Sequence, residues 1–286
     1  MTDVDDPAAS TTATRSVPGE AASAWSAELA FAVETAAAAG AILMERYERL
    51  QRIDRKSARD VVTEADHLSE ALVIDAIRAR FPSDAILAEE SGAHPAGAAT
   101  PANGRTWVID PLDGTVNYAN GLPVFCVSIG FVVDGRPTAG AVLDPTRGET
   151  FAATTDGPAT LNGRVIATST KDKLSDGVIS LSLSGRSVAS RARAIRREIR
   201  IARSMGSASL GLAYVGNGRF DAFVQESGLS AWDVAAAGLI AERAGATVTA
   251  FDGSAWYDPG RPTRAAGSIA APAAFHARLL KLANER

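Results

Sequence analysis

The chain has 286 residues, enough for one large domain or two closely packed halves. Its net charge of −4 supplies no global pull toward nucleic acid or an anionic membrane, and 46% hydrophobic with 22% charged residues is ordinary for a soluble globular protein. The single cysteine, Cys126, excludes an intramolecular disulfide and a thiolate zinc cluster; it lies in the apolar run "VFCVSIG" and reads as a packed free thiol. His67, His94 and His276 form no zinc spacing, so a catalytic metal would be held by oxygen, which favours magnesium, manganese or calcium.

Residues 1–24, rich in Ala, Ser and Thr, read as a disordered arm. They lack the features of a secretory or transit signal, and the longest apolar run, "AAAAGAILM", is too short to span a bilayer. The expectation is a soluble, cytoplasmic protein. From Trp25 to about Leu50, Leu29, Val33, Ala36, Ala37, Gly40 and Met44 recur at helical spacing. A second helix starts near Asp66, carries Leu68, Leu72, Ile74 and Ile77 inward and stops at Pro82. "AILAEES" is a short buried strand ending on Glu89 and Glu90, "GAHPAGAATPANG" a linker and "TWVID" another strand.

From Phe125 the period changes to two. Three apolar runs separated by turn signals at residues 134–137 and 144–148 predict an antiparallel meander. "GVISLSL", "RFDAFV", "ATVTAF" and "GSIAA" read as further strands. Helices are expected over Gly206 to Val215, over "WDVAAAGLIAERAG" and at the C-terminus. Antiparallel blocks mixed with strands lying between helices predict a layered α+β sandwich. No G-x-G-x-x-G follows the first strand, which argues against a dinucleotide-binding sheet.

The informative segment is "WVIDPLDGTVNYANG", Trp107 to Gly121. Asp110 ends a strand, Pro111 disfavours a helical Asp110, and the turn lets Asp110 and Asp113 converge. Gly114 permits close approach to the backbone, and amides at 114 and 115 suit an anion. Two carboxylates bind a hard cation and the amides bind phosphate oxygens, so the combination asks for a metal-bridged phosphate. The same residue types also suit an ordinary turn. Glu89 and Glu90 repel one another at a strand end, which a cation shared with Asp110 would relieve. Asp66 and Asp233 stand near helix starts, where a cap is the ordinary reading.

"WVIDPLDGTVNYANGLPVFCVSIG", "DVVTEAD", "ILAEES", "GSASLGLAYVGNGRFDAF" and "ESGLSAWDVAAAGLIAERAGA", in that order, closely resemble the inositol monophosphatase family. The resemblance implies an αβαβα sandwich of the inositol monophosphatase and sugar phosphatase type over residues 25–286, with halves at 25–150 and 151–286. It implies a Mg²⁺-dependent, Li⁺-sensitive phosphomonoesterase acting by direct attack of water, with two or three Mg²⁺ per site. Glu90, Asp110, Asp113, Asp233 and the Leu112 carbonyl match its metal ligands. Thr115 and Asp66 match the pair that orients the water, with Glu90 counted among the catalytic groups. Gly114, Thr115, Gly206, Ala208, Glu226 and Asp233 match its substrate contacts, and Glu89 looks like a neighbour of Glu90.

Two features depart from the family. Lys56 stands one residue closer to Asp66 than the family's active-site lysine. The shortened segment from Arg186 to Arg203 is rich in arginine and reads either as a solvated helix face or as a basic rim for anions. The implied substrate is a small phosphorylated alcohol, myo-inositol monophosphate first. Histidinol phosphate is the alternative, then fructose 1,6-bisphosphate and 3′-phosphoadenosine 5′-phosphate. A homodimer is implied, with no nucleic-acid or membrane partner. The contrasting class is a non-catalytic, transcription-associated interaction protein.

Overall fold

A computed structural model describes residues 23–48, 53–57, 60–95, 104–184, 188–258, 260 and 266–285, with backbone only at 53–57, 60, 61 and 266. In chain order they form α1 (Ser26–Arg46), β1 (Ile53–Ser57), β2 (Asp60–Thr63), α2 (Glu64–Arg80), β3 (Ala85–Ala88), β4 (Gly92–His94), β5 (Arg105–Asp113) and α3 (Thr115–Ala119). Then come β6 (Cys126–Val133), β7 (Arg136–Asp144), β8 (Glu149–Thr154), β9 (Thr160–Leu161), β10 (Arg164–Val165) and β11 (Val178–Ser182). The chain closes with α4 (Val188–Glu198), β12 (Ile201–Arg203), α5 (Ala208–Gly216), β13 (Ala222–Leu229), α6 (Ala231–Arg243), β14 (Thr247–Ala250), β15 (Ala266–Ala271) and α7 (Ala273–Asn284).

Apart from the β1–β2 hairpin, the strands form two sheets. One has eight strands in the order β10-β9-β8-β7-β6-β5-β3-β4, the other five in the order β12-β11-β13-β15-β14. Three cores define the layers. Trp107, Ile109 and Phe131 pack with Ala36, Leu43 and Ile77 between the large sheet and α1/α2. Val142 and Phe151 meet Leu212, Ile240 and Phe223 between the two sheets, around α5 and α6. Ile179 and Val224 meet Ile195, Phe275 and Leu279 under α4 and α7. This is the expected αβαβα sandwich, and each fully buried large side chain contributes roughly 1.5–3 kcal/mol.

Several local expectations shift. α1 ends at Arg46, and the expected continuation to residues 49 and 50 lies outside the described residues. Its buried stripe is Ala32, Ala36, Ala39, Gly40 and Leu43, while Met44 is 39% exposed. The helix lies so close to β7 that a Cβ at Gly40 would meet Leu143 at 2.5 Å, so small residues face the sheet. By length and composition α1 could cross a membrane; its apolar stripe is instead spent on the core. In α2 only Ile77 of the four predicted inward residues is fully buried, whereas Asp66, Ser69 and Glu70 are buried. Polar groups face inward there because they hold the site. The linker after Glu90 begins as β4, which pairs with β3. The terminal arm lies outside the described residues except Ser23 and Ala24, both bonded to Asp156.

α6 approaches the large sheet closely because glycines face it. A Cβ at Gly130 would meet the Ala235 Cβ at 2.7 Å, and one at Gly140 would meet the Ala236 Cα at 2.7 Å. This contact fixes the height of Asp233 above β5. Gly140→Ala is therefore expected to destabilise the fold by about 1–3 kcal/mol, read as a lowered midpoint in urea unfolding. An unchanged midpoint would show that α6 yields freely.

Candidate active site

β5 runs through Pro111 to Asp113, with its register to β6 broken between Asp110 and Asp113. Side chains alternate across a strand, and here Trp107 and Ile109 face α1 and α2 while Val108 faces α6. Asp110 consequently faces α6. One carboxylate oxygen from each of Asp110, Asp113 and Asp233 lies within 4.8 Å of the others. Asp233 is in the first turn of α6, where it closes a capping box with Ser230. Asp113 is held by the start of α5: the Ser207 hydroxyl donates to it at 2.6 Å, the Ser209 amide at 2.7 Å and the Ala208 amide at 3.3 Å. The Cys126 thiol lies 3.7 Å from the same carboxylate, so the packed cysteine also touches the site.

The fourth carboxylate is Glu89, where the sequence reading placed Glu90. β3 runs parallel to β5 with Ala88 opposite Ile109, and the Glu89 amide continues the ladder onto the Ile109 carbonyl at 3.1 Å. Glu89 is therefore level with Asp110 and on its face, and its charge acts directly on Asp110. Glu90 points the other way, toward α2. Its amide and that of Ser91 donate to Glu70 at 2.9 Å each, and its charge acts on Asp66.

Asp66 caps α2 and also serves the site. Its Oδ2 accepts the Thr63 amide at 2.8 Å and the Thr63 hydroxyl at 2.6 Å, leaving Oδ1 to face the Thr115 hydroxyl at 3.2 Å. The Leu112 carbonyl lies 3.0 Å from the same hydroxyl. Thr115 has one proton for two acceptors, and its lone pairs remain available to a third group. Gly114, at φ +96°, starts α3; a Cβ there would meet the Val124 carbonyl at 2.8 Å.

The electrostatics follow from burial. Desolvation, then the charges of Glu89, Asp113 and Asp233, holds Asp110 well above the ordinary carboxylate range. Burial raises Asp113 against the pull of its donors. Burial pushes Asp66 up to about 6, against the Thr63 hydrogen bonds. Among the described residues no ion pair involves Asp110 or Asp113. An all-oxygen cluster, with Asp110 and Asp113 buried, fits a hard divalent ion.

Beside Asp113 and Asp233 opens a cleft of about 250 Å³ lined by Gly206, Ala208, Ser180, Ser182 and Gln225. Glu226 does not line it. That carboxylate accepts the Ser184 amide at 2.9 Å and lies 2.8 Å from Arg191. The Lys56 side chain falls outside the described residues.

The profile of the inositol monophosphatase family matches residues 25–286. The chain belongs to the inositol monophosphatase family. A protein of Pseudomonas aeruginosa named Nus factor SuhB is 38% identical over 236 residues, 79% of this chain and 86% of its own. An inositol-1-monophosphatase of Synechocystis is 39% identical over 231 residues, 78% and 79%. The crystal structure of the suppressor protein SuhB from Bartonella henselae superposes with a TM-score of 0.82 at 29% identity, covering 91% of this chain and 99% of that one.

Within this family fold, the residues that the sequence reading passed over are those that orient the others. Ser207 and Ser209 aim Asp113. Asn117 donates to the Val124 and Met205 carbonyls at 2.7 and 2.9 Å and ties α3 to Gly206. "GSAS" before an apolar helix carried a helix-cap signal for Ser207; nothing in the sequence marked Asn117.

The raised carboxyls set a sign for pH dependence. The cation-free fold binds protons more tightly than the unfolded chain, so this stability is present below about pH 4 and lost as pH rises through about 6, the Asp66 window. Mg²⁺ bound at the cluster would replace those protons. It is expected to raise the melting temperature more at pH 7.5 than at pH 5, as measured by calorimetry with and without chelator. An equal shift at both values would contradict a cation bound at this cluster.

Proposed function

We propose that the protein is a Mg²⁺-dependent phosphomonoesterase that hydrolyses a small phosphorylated alcohol, myo-inositol monophosphate first, as a cytoplasmic homodimer. The observation that carries this reading is the Thr115 hydroxyl, set between Asp66 and the Leu112 carbonyl at the edge of the acidic cluster. Asp110, Asp113, Asp233, Glu89 and the Leu112 carbonyl are the groups that would hold two or three Mg²⁺, with Glu90 behind them. Such ions supply Lewis acidity, acidifying water and offsetting charge on the phosphate and the departing oxygen.

The chain's own residues direct the attack. Thr115 accepts a hydrogen bond from the attacking water while its own proton moves toward Asp66. A carboxyl near pH 6 suits a base working at neutral pH. The water oxygen joins phosphorus as the bond from phosphorus to the alcohol oxygen breaks; the departing oxygen takes a proton from solvent, Asp66 returns its proton to solvent, and alcohol and inorganic phosphate are released. The Gly114 and Thr115 amides, at the start of α3 where first-turn amides have no intrahelical acceptor, donate to phosphate oxygens. Gly206 and Ala208 border the cleft that receives the alcohol.

A second reading, a transcription-associated interaction protein, is favoured by the name of the Pseudomonas relative. It gives no use to the Thr115–Asp66 pair. Phosphate release separates the two readings. Asp110→Asn is expected to lower kcat by about 10³-fold and Thr115→Ala by about 10²-fold, the latter with little change in KM. Wild-type rates in both folded variants would remove the assignment.

A further inference from the structure

The acidic cluster draws its carboxylates from segments that only tertiary contacts join. Asp110 and Asp113 stand close together on β5, so the backbone itself fixes their spacing. Asp233 arrives on α6, from far along the chain. Where its carboxylate rests relative to the other two therefore depends on what holds the start of that helix.

Two fully buried serines hold it. Ser128 lies directly opposite Asp110 in the β5–β6 ladder. Cross-strand partners share a face of the sheet, so Ser128 points with Asp110 toward α6, and its hydroxyl donates to the Trp232 carbonyl at 3.3 Å. Ser209 comes from α5. Its amide donates to the Asp113 carboxylate at 2.7 Å and its hydroxyl donates to the Asp233 carbonyl at 3.0 Å. Consecutive carbonyls in the first turn of α6 are thus gripped from two directions. Each aspartate of β5 is linked through one serine to the turn that carries the third.

These bonds are not needed to build the helix. A first-turn carbonyl already accepts the amide four residues on, and the hydroxyl takes its second lone pair. Among the described residues neither hydroxyl donates to any other group. Gly130 and Gly140 set how closely α6 approaches the sheet, and the two serines fix where its first turn rests.

We propose that Ser128 and Ser209 are positioning residues that hold Asp233 at the spacing a small divalent cation requires, and so make the cluster prefer Mg²⁺ to Ca²⁺. The proposal rests on the phosphatase reading above, in which the cluster holds Mg²⁺. One oxygen from each of Asp110, Asp113 and Asp233 lies within 4.8 Å of the others, and the serines keep that arrangement rigid. Rigidity separates the two ions. Mg²⁺ demands near-ideal octahedral oxygens at about 2.0–2.1 Å, whereas Ca²⁺ accepts looser geometry at about 2.3–2.6 Å. A site in which one carboxylate can drift loses the smaller ion first.

The test titrates Mg²⁺ and Ca²⁺ separately into the chelator-stripped full chain by calorimetry, and follows phosphate release from myo-inositol 1-phosphate against Mg²⁺ concentration. Ser209→Ala keeps the amide on Asp113 and removes only the hydroxyl on the Asp233 carbonyl. It is expected to raise the Mg²⁺ Kd by about tenfold, with the Ca²⁺ Kd within about threefold of wild type. The Mg²⁺ concentration for half-maximal release is expected to rise in parallel. Ser128→Ala, whose bond is longer, is expected to weaken Mg²⁺ by about threefold and Ca²⁺ by less, and it carries the test alone should Ser209→Ala not fold. Wild-type Mg²⁺ affinity in the folded variants would overturn the proposal. Equal weakening of both ions would overturn it too, because it marks a general loosening of the fold. In either case the phosphatase reading stands if the wild type releases phosphate with Mg²⁺. A folded wild type that neither binds Mg²⁺ nor releases phosphate overturns that reading, and this proposal with it.

Discussion

Repulsion among buried carboxylates is the constraint around which the molecule is arranged. Asp110 and Asp113 are buried at the end of one strand, Glu89 arrives level with Asp110 on the next, and Asp233 descends from a helix. Burying like charges together is costly unless protons or a cation offset them. The fold tolerates the arrangement because every approach to it is braced. The start of α5 donates to Asp113, Ser230 and Asp233 bond each other at the start of α6, and Thr63 holds Asp66. These braces fix the oxygens in place, in an arrangement that suits a hard cation.

The layered architecture serves this convergence. The parallel pairing of β3 with β5 aligns Glu89 with Asp110, and the glycines of β6 and β7 let α6 settle onto the sheet. Asn117 joins the turn after β5 to the loop before α5, so groups from both halves of the chain meet at one edge. Small side chains matter here as much as large ones. The alanine and glycine faces of α1 and α6 set distances that bulkier residues would lengthen.

Much of this was legible in the residues. Runs of period two and period 3.6 located most strands and helices, and carboxylates at the ends of buried runs located the cluster. The exchange of Glu89 for Glu90 shows where such reading stops. Adjacent residues on a strand face opposite sides, and which side holds the site depends on pairing with a neighbour distant in sequence. Arg191 illustrates the same limit. In sequence it was one arginine among many in a polar segment, and only tertiary packing distinguishes the buried one. The short hairpins β1–β2 and β9–β10 left no periodic signal long enough to read. The face that α1 buries was displaced because contact with the sheet selected small side chains over the larger ones that periodicity favours.

On the proposed function, the acidic cluster is a divalent-cation site coupled to phosphate release. The direct measurement titrates Mg²⁺ into chelator-stripped protein while following both heat of binding and phosphate release from myo-inositol 1-phosphate in matched samples. We expect no release without the ion, and binding and release that rise together to saturation. Full release in the presence of chelator, or saturable Mg²⁺ binding with no release from any phosphorylated alcohol, would contradict the account.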